Sequence, residues 1–153
     1  HEDAIIELAG AVDTLEAGAS SSTESVRVYQ TITTGNSSQS GNNDDTAITG
    51  LSITLTPASS SSKFLIFLNG YFFIYRSGGG SSADIGIRRN NIVLHEKNYT
   101  TSSDSSHADK IVYDQPSTSN AVTYEAFYDS QTASPTTTIE TNKGSILTIL
   151  EIL

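Results

Sequence analysis

The sequence predicts an all-β chain: an antiparallel, jelly-roll-like β-sandwich that follows a short N-terminal coiled-coil helix and forms a homotrimer. Three observations predict it. Apolar residues follow a heptad rhythm in residues 2–17, the apolar period falls to two after residue 25, and 24 Ser and 19 Thr stand among the 153 residues. We therefore divide the chain into a stalk (1–17), a linker (18–24) and a sandwich domain (25–153).

The predicted stalk carries Ile5, Leu8, Val12 and Leu15 at spacings of three, four and three residues, which is the a/d pattern of a coiled coil. A helix of two heptads is marginal in water on its own, so its apolar stripe must be buried. Identical helices of sister chains are the preferred partner, and we predict that these four residues trimerise the chain. A helix packed on its own sandwich is the alternative.

The strands are predicted from alternation. Val26, Val28 and Ile32 alternate with polar or aromatic residues, as in a strand with one face buried. Residues 35–46 and 100–109 are polar and are expected to be loops. Further strands are expected at 51–56, 110–114, 121–128 and 136–141, with a hairpin over 85–95.

Two segments are more apolar than the rest. Residues 63–75 predict a strand buried on both faces, with a bulge or bend at Asn69 and Gly70; a hydrophobic helix is rejected because of the aromatic and β-branched content. The last segment, 145–153, is too apolar for an exposed edge, so we expect it inside a sheet or at a subunit interface. Eight or nine strands in all favour a jelly roll.

Charge and composition exclude several partners. The net charge of −9 argues against binding to nucleic acid or anionic lipid, and no apolar run is long enough to span a bilayer, so we expect no membrane insertion. The chain has no cysteine, which excludes disulfides and thiolate metal sites. Because it begins at His1, we expect a processed or excised piece of a longer protein.

The search for catalytic chemistry is negative. The three histidines are not accompanied by a Gly-x-Ser-x-Gly elbow, and His95 is expected to be a partly exposed strand residue. Glu125 and Glu151 are single acids in strands and are expected to face solvent or a subunit interface. Asp109 with its neighbours Asp104 and His107, or the acidic stretch 42–45, would be the alternatives for a metal site. We predict no enzyme, no cofactor and no metal.

The order of several segments resembles the C-terminal modules of bacteriophage tail fibres and head fibres, over about residues 46–153. The segments that carry the resemblance are Leu51–Pro57 with Ala58–Ser62, Lys63–Leu68, Ile87–Asn90, Val122–Tyr124 and Ile149–Ile152. Two features depart from the pattern: Asn91 stands where a turn glycine is usual, and the glycine-rich insert is confined to Gly78–Gly80.

The resemblance implies a trimer of sandwiches on a coiled-coil stalk, at a fibre tip or on a capsid exterior. It would join other virion proteins through its N-terminal side and bind a host-surface receptor. We expect the receptor to be a glycan, because the loops offer hydroxyls, amides and aromatic faces and three copies supply avidity. The loops around 75–82 and 99–109 are the predicted binding loops, with Tyr75, Arg76, Tyr99, Asp104 and His107 as receptor-binding residues.

Two other functions remain as alternatives. One is a capsid decoration or cement protein, or a head fibre with a structural role. The other is a secreted ligand of the tumour-necrosis-factor-like or complement-like kind, which shares the trimeric jelly roll.

Overall fold

The computed structural model describes residues 25–34, 37–41, 46–76, 81–101, 105–130, 137–141 and 144–153. The predicted stalk, with Ile5, Leu8, Val12 and Leu15, and the linker lie outside these residues. The described residues form ten strands and confirm the all-β prediction. The strands are β1 (Val26–Ile32), β2 (Ser37–Gly41), β3 (Thr46–Leu55), β4 (Lys63–Arg76), β5 (Ser81–Arg89), β6 (Ile92–Thr101), β7 (Ser105–Asp114), β8 (Val122–Ser130), β9 (Thr137–Thr141) and β10 (Ile146–Ile152).

The strands form two antiparallel sheets, which confirms the β-sandwich. Sheet A has the order β1-β10-β4-β9-β2, with β7 on the other side of β4, and sheet B has the order β3-β8-β5-β6. Along one side of β4, β10 pairs with Lys63–Asn69 and β9 pairs with Phe72–Arg76. On this same side, β1 pairs with β10 and β2 pairs with β9. At any level sheet A is therefore four strands wide, as is sheet B, and strands from early and late in the chain alternate across each sheet, as in a jelly roll.

The core lies between the inner faces of the two sheets. Every second residue of β4 from Phe64 to Phe72 and of β10 from Leu147 to Glu151 points into it, and the ring of Phe64 packs on the ring of Tyr124 with centroids 5.6 Å apart. The buried residues are Phe64, Ile66, Leu68, Phe72, Val112, Leu147 and Ile149 from sheet A, and Ile48, Leu51, Leu55, Ile85, Ile87, Val122, Tyr124, Ala126 and Tyr128 from sheet B.

A buried ion pair joins the sheets beside Phe64. Asp114 of β7 accepts two hydrogen bonds from the Arg89 guanidinium, at 2.6 and 2.8 Å, and a third from the Tyr124 hydroxyl at 2.7 Å. Burial and this hydrogen bond to Asp114 raise the pKa of Tyr124 far above its usual value. The tyrosine therefore stays a neutral donor to the carboxylate.

The predicted hairpin over 85–95 is present as β5 and β6, and its turn consists of two asparagines. Asn90 and Asn91 both have positive φ, 46° and 67°, which a two-residue hairpin turn requires and which asparagine tolerates better than most residues. The Asn90 side chain also accepts a hydrogen bond from the Thr123 amide at 2.8 Å. Asn91 thus replaces the usual glycine without loss of the turn.

Several predictions about the strands are wrong in detail. No bulge interrupts β4 at Asn69 and Gly70, since its register with β7 is continuous, and its outward side chains are only partly covered. Polar residues 37–41 form β2, and residues 105–109 form the start of β7 rather than a loop. These polar stretches lack an apolar pattern, but β9 and β4 pair with their backbones.

The predictions for the two terminal strands have different outcomes. β10 lies between β1 and β4, which confirms that the last segment is inside a sheet. In β1 the alternation is confirmed but the buried face is wrong: Tyr29 packs against the core, whereas Val26, Val28 and Ile32 are exposed on the outer side of sheet A.

We expect Asp114→Ala to lower the free energy of unfolding by about 2 to 4 kcal/mol, because it leaves the buried Arg89 guanidinium without its carboxylate. Asp109→Ala, an exposed acid on the same strand, is the control and should cost less than about 1 kcal/mol. Urea denaturation of both variants measures the difference. Equal losses would show that the ion pair does not hold the sheets together.

Candidate binding surfaces

The strand register separates two ends of the sandwich. At one end, called the distal end, lie the strand ends that precede and follow residues 42–45, 77–80, 102–104 and 131–136. At the other, the proximal end, β1 begins and β10 ends, beside the connections 56–62, 90–91 and 115–121. The N-terminal segment therefore joins the sandwich at the end opposite to the four distal connections.

The distal connections are polar in sequence. They read NNDD, SGGG, SSD and QTASPT, and none contains a large apolar residue. The strand ends that carry them converge, since Phe73 pairs with Ser105 and Arg76 pairs with Thr137 across sheet A. Sheet B repeats this, with Ser81 opposite Thr101. The strand ends that flank the four polar segments thus lie at one end of both sheets.

The predicted binding residues map to this end at the level of the backbone. Tyr75 and Arg76 end β4, Tyr99 lies near the end of β6, and His107 lies near the start of β7, opposite Tyr71. Asp104 lies outside the described residues. Sequence spacing alone did not reveal that the strand ends beside the two predicted binding loops would share one end; the register of β4 with β7 does.

The outer side of sheet A is a second candidate surface. Directly paired residues share a face, so the outward rows are Val28-Leu150-Leu65-Tyr113 and Gln30-Thr148-Phe67-Ile111, with flanking rows on either side. This apolar face comprises the exposed Val26, Val28, Ile32, Tyr71, Ile111 and Tyr113 and the half-buried Leu65, Phe67, Ile146, Leu150 and Ile152.

Charges lie at the margins of the apolar face. Lys63 is at the proximal margin, while Asp109 and Glu140 lie toward the distal end. Asp109 accepts a hydrogen bond from the Asn69 amide at 2.6 Å. A contiguous apolar patch on a chain of net charge −9 indicates a surface that is covered in use.

The outer side of sheet B follows the ordinary rule of polar residues outside. Ser52 and Thr54 of β3 are exposed there, and the Thr54 hydroxyl lies 2.8 Å from that of Thr123. Glu125 also faces this side, half-buried and paired with the Arg88 guanidinium at 2.8 Å. The apolar exceptions on this side are Phe127, which is fully buried beneath the Arg88 guanidinium, and Val93, which is 40% exposed. Sheet A departs further from the pattern of a sheet with one wet face.

Glu151 corrects an expectation. It does not face solvent or a subunit interface; its side chain is 0% exposed and points inward at the proximal end. The carboxylate accepts hydrogen bonds from the Ala58 amide at 2.6 Å and from the Tyr29 hydroxyl at 3.0 Å. It thereby fixes the connection 56–62, which carries the chain from sheet B to sheet A.

The electrostatics of Glu151 contain opposing effects. Burial alone would raise its pKa, but hydrogen bonds from the Ala58 amide, Ser62 and Tyr29, with the charge of Arg27, hold the pKa below its usual value. The carboxylate is consequently ionised inside the fold. It is satisfied by its neighbours rather than directed into a cleft, so it serves the structure.

The other candidate sites have different outcomes. His95 lies exposed in β6, as expected. Among the described residues, no group of three or more His, Asp or Glu is placed to hold a metal ion. The described part of the chain also contains no helix long and apolar enough to cross a bilayer.

Comparisons with known proteins support the fold. No protein-family model and no curated protein sequence matches this chain. Among solved structures, a part of latent PorU from Porphyromonas gingivalis superposes with a TM-score of 0.51 at 8% identity, over 84% of this chain and 13% of that one. At such identity the likeness concerns the β-sandwich fold alone.

Two further structures are more distant. The sugar-binding C-terminal domain of EclA matches at a TM-score of 0.39 and 14% identity, over 84% of this chain and 79% of that one. The structure of infectious bursal disease virus, Gx strain, matches at a TM-score of 0.37 and 11% identity, over 84% of this chain and 41% of that one. Neither carries an argument about function.

We expect the stabilising effect of the ionised Glu151 carboxylate to be lost at acid pH. A group whose pKa is lowered by folding stabilises the protein above its unfolded pKa, near 4.5, and this contribution is lost as pH falls through the folded value. Glu151→Gln should therefore be less stable than the wild type at pH 7, and the gap should shrink below about pH 4.5. Urea denaturation between pH 7 and pH 3 measures it.

The matched control is Glu96→Gln, an exposed acid on β6. Its stability should follow that of the wild type across the same pH range. A gap for Glu151→Gln that stays constant from pH 7 to pH 3 would contradict an ionised, stabilising carboxylate.

Proposed function

We propose that this chain is a non-enzymatic module of a bacteriophage fibre on the virion surface, which displays its distal end in three copies and binds a host-surface glycan with it. The observation that carries the proposal is the separation of ends. β1 begins at the proximal end, and the strand ends next to the four polar connections lie at the distal end. A module attached through its N-terminal side would hold these connections outward.

The chemistry of the distal end supports a sugar ligand. The four connections supply hydroxyls, amides and the acids Asp44, Asp45 and Asp104, and the adjoining strand ends contribute Tyr75 and Tyr99. Hydroxyls and carboxylates exchange hydrogen bonds with sugar hydroxyls, and tyrosine rings offer an apolar face with a polar tip. Weak single sites would then act together through three copies.

The absence of catalysis is part of the proposal. Two of the buried carboxylates among the described residues, Glu151 and Asp114, are held by hydrogen bonds inside the sandwich at the proximal end. Neither is free to act as a general acid or a nucleophile. A bound glycan would be recovered unchanged.

A capsid decoration or head-fibre role is the second candidate. The apolar face of sheet A favours it, because a flat apolar sheet face could rest against capsid subunits. Binding to assembled capsids without binding to glycans would support this role over adhesion.

Binding of the purified full chain to a printed glycan array tests the proposal. We expect retention on a subset of glycans, and we expect Tyr75→Ala, Arg76→Ala and Tyr99→Ala each to weaken binding about tenfold or more where the side chain contacts sugar. Ser119→Ala, an exposed residue of the proximal connection 115–121, should bind like the wild type.

Three outcomes would contradict it. Equal losses for Ser119→Ala and the distal variants would place binding elsewhere. No retention on glycans or on host cells would remove the adhesive role. Release of shortened sugars during incubation, measured by mass spectrometry, would overturn the non-enzymatic part.

A further inference from the structure

The apolar face of sheet A needs an occupant. Val28 is 64% exposed and Ile111 is 66% exposed, and both point away from the core on the two edge strands of the sheet. The outer side of sheet B is mostly polar; of its apolar residues, Phe127 is fully buried beneath the Arg88 guanidinium and Val93 is 40% exposed. Because the exposed apolar residues are several and adjacent on sheet A, its outer side has the character of a contact surface.

From these observations we infer that the apolar face is the interface between copies of this chain, which pack against one another around a common axis. The inference goes beyond glycan binding and is independent of it. It rests on the homotrimer of the proposed function. In that homotrimer the copies would be held together by their sandwiches as well as by the heptads, whereas the sequence predicted association through the heptads alone.

The position of the N-terminal segment points to further copies as the occupant. β1, which carries Val26 and Val28, is an edge strand of the apolar face and begins at the proximal end. Residues 18–25 connect it to the heptads, and eight residues span at most about 28 Å. If heptads of several chains meet on an axis, each apolar face is therefore held close to that axis.

The size of the apolar face explains why the chain would need both this face and the predicted heptads to associate. Four strands about 4.8 Å apart and seven residues of about 3.4 Å give a face of about 14 by 24 Å, or roughly 300 Å² in projection. A stable interface buries about 800 Å² per partner, so the face alone would associate weakly. Tethering by the heptads raises the effective concentration of the faces into the millimolar range.

The chain's predicted N-terminal helix would fit the face less well. A helix is about 10 Å wide, and its predicted stripe carries four apolar side chains, Ile5, Leu8, Val12 and Leu15. The most exposed residues lie on opposite edge strands about 14 Å apart. One helix laid along the sheet would leave at least one of these edges in water.

Charge also favours copies that meet through this face. Each chain carries a net charge of −9, so copies repel one another over most of their surfaces. The apolar face confines its charges to Lys63, Asp109 and Glu140 at the margins. It is the described surface on which identical chains can approach with the smallest repulsion.

Light scattering on the full chain at micromolar concentration tests the inference. We expect a mass that is a multiple of 16.3 kDa, three times this value for the homotrimer. Val28→Glu and Ile111→Glu should each weaken association about a hundredfold or more, because a carboxylate would be buried between copies. Both side chains are exposed in a single sandwich, so each variant should still fold.

The matched control is Ile92→Glu. Ile92 is 56% exposed but lies on β6 at the edge of sheet B, away from the apolar face. This variant should keep the mass of the wild type. The temperature of unfolding gives a second readout: it should rise with protein concentration in the wild type and in Ile92→Glu, and should not in Val28→Glu.

Two results would overturn the inference. A wild-type mass of one chain would show that the face is covered by the chain's own helix or by a different protein. A multimer that survives Val28→Glu and Ile111→Glu but is lost in Leu8→Glu would assign association to the heptads alone. That second result would contradict this inference but not the proposed glycan-binding trimer. Conversely, a failure to bind glycans would contradict the proposed function without changing the measured mass.

Discussion

The register between β10 and β4 is the constraint on which the two faces of sheet A depend. β10 reads ILTILEI and is apolar on both sides, so hydrophobicity alone would accept a slip of one residue, which exchanges its faces. Glu151 removes this ambiguity. Its carboxylate finds the Ala58 amide and the Tyr29 hydroxyl only on the inner side, and a slip would leave these partners without it.

With this register fixed, the rest of the sandwich follows. Glu151, Phe64 and Asp114 occupy one inner row of sheet A, so an apolar ring stands between two satisfied carboxylates. Asp114 reaches across to sheet B, and Glu151 holds the connection that comes from it. Polar contacts therefore join the two sheets at the proximal end and specify their relative geometry, while apolar packing joins them in the middle of the sandwich.

Sequence patterns predicted the all-β class, the hairpin with its asparagine turn and the interior position of β10, because alternation and turn chemistry are local. They failed where the structure depends on which face of a strand is buried or on what packs against it. The alternation of Val26, Val28 and Ile32 is the same whether the core or another chain covers it, so the buried face of β1 was misassigned. Gly70 suggested a bulge, yet it lies in a continuous strand where the Phe72 ring fills the space of a side chain.

In the proposed homotrimer, the predicted heptads would not decide the number of copies alone. Ile5 and Val12 at a positions with Leu8 and Leu15 at d positions favour two strands in an isolated parallel coiled coil. Two short heptads contribute little stability, so a larger surface can override this preference. The apolar face has apolar edges on both β1 and β7, which lets the β1 edge of one copy meet the β7 edge of the next. Such a head-to-tail contact forms a ring when the rotation between copies closes, and in the proposed homotrimer it would close after three copies.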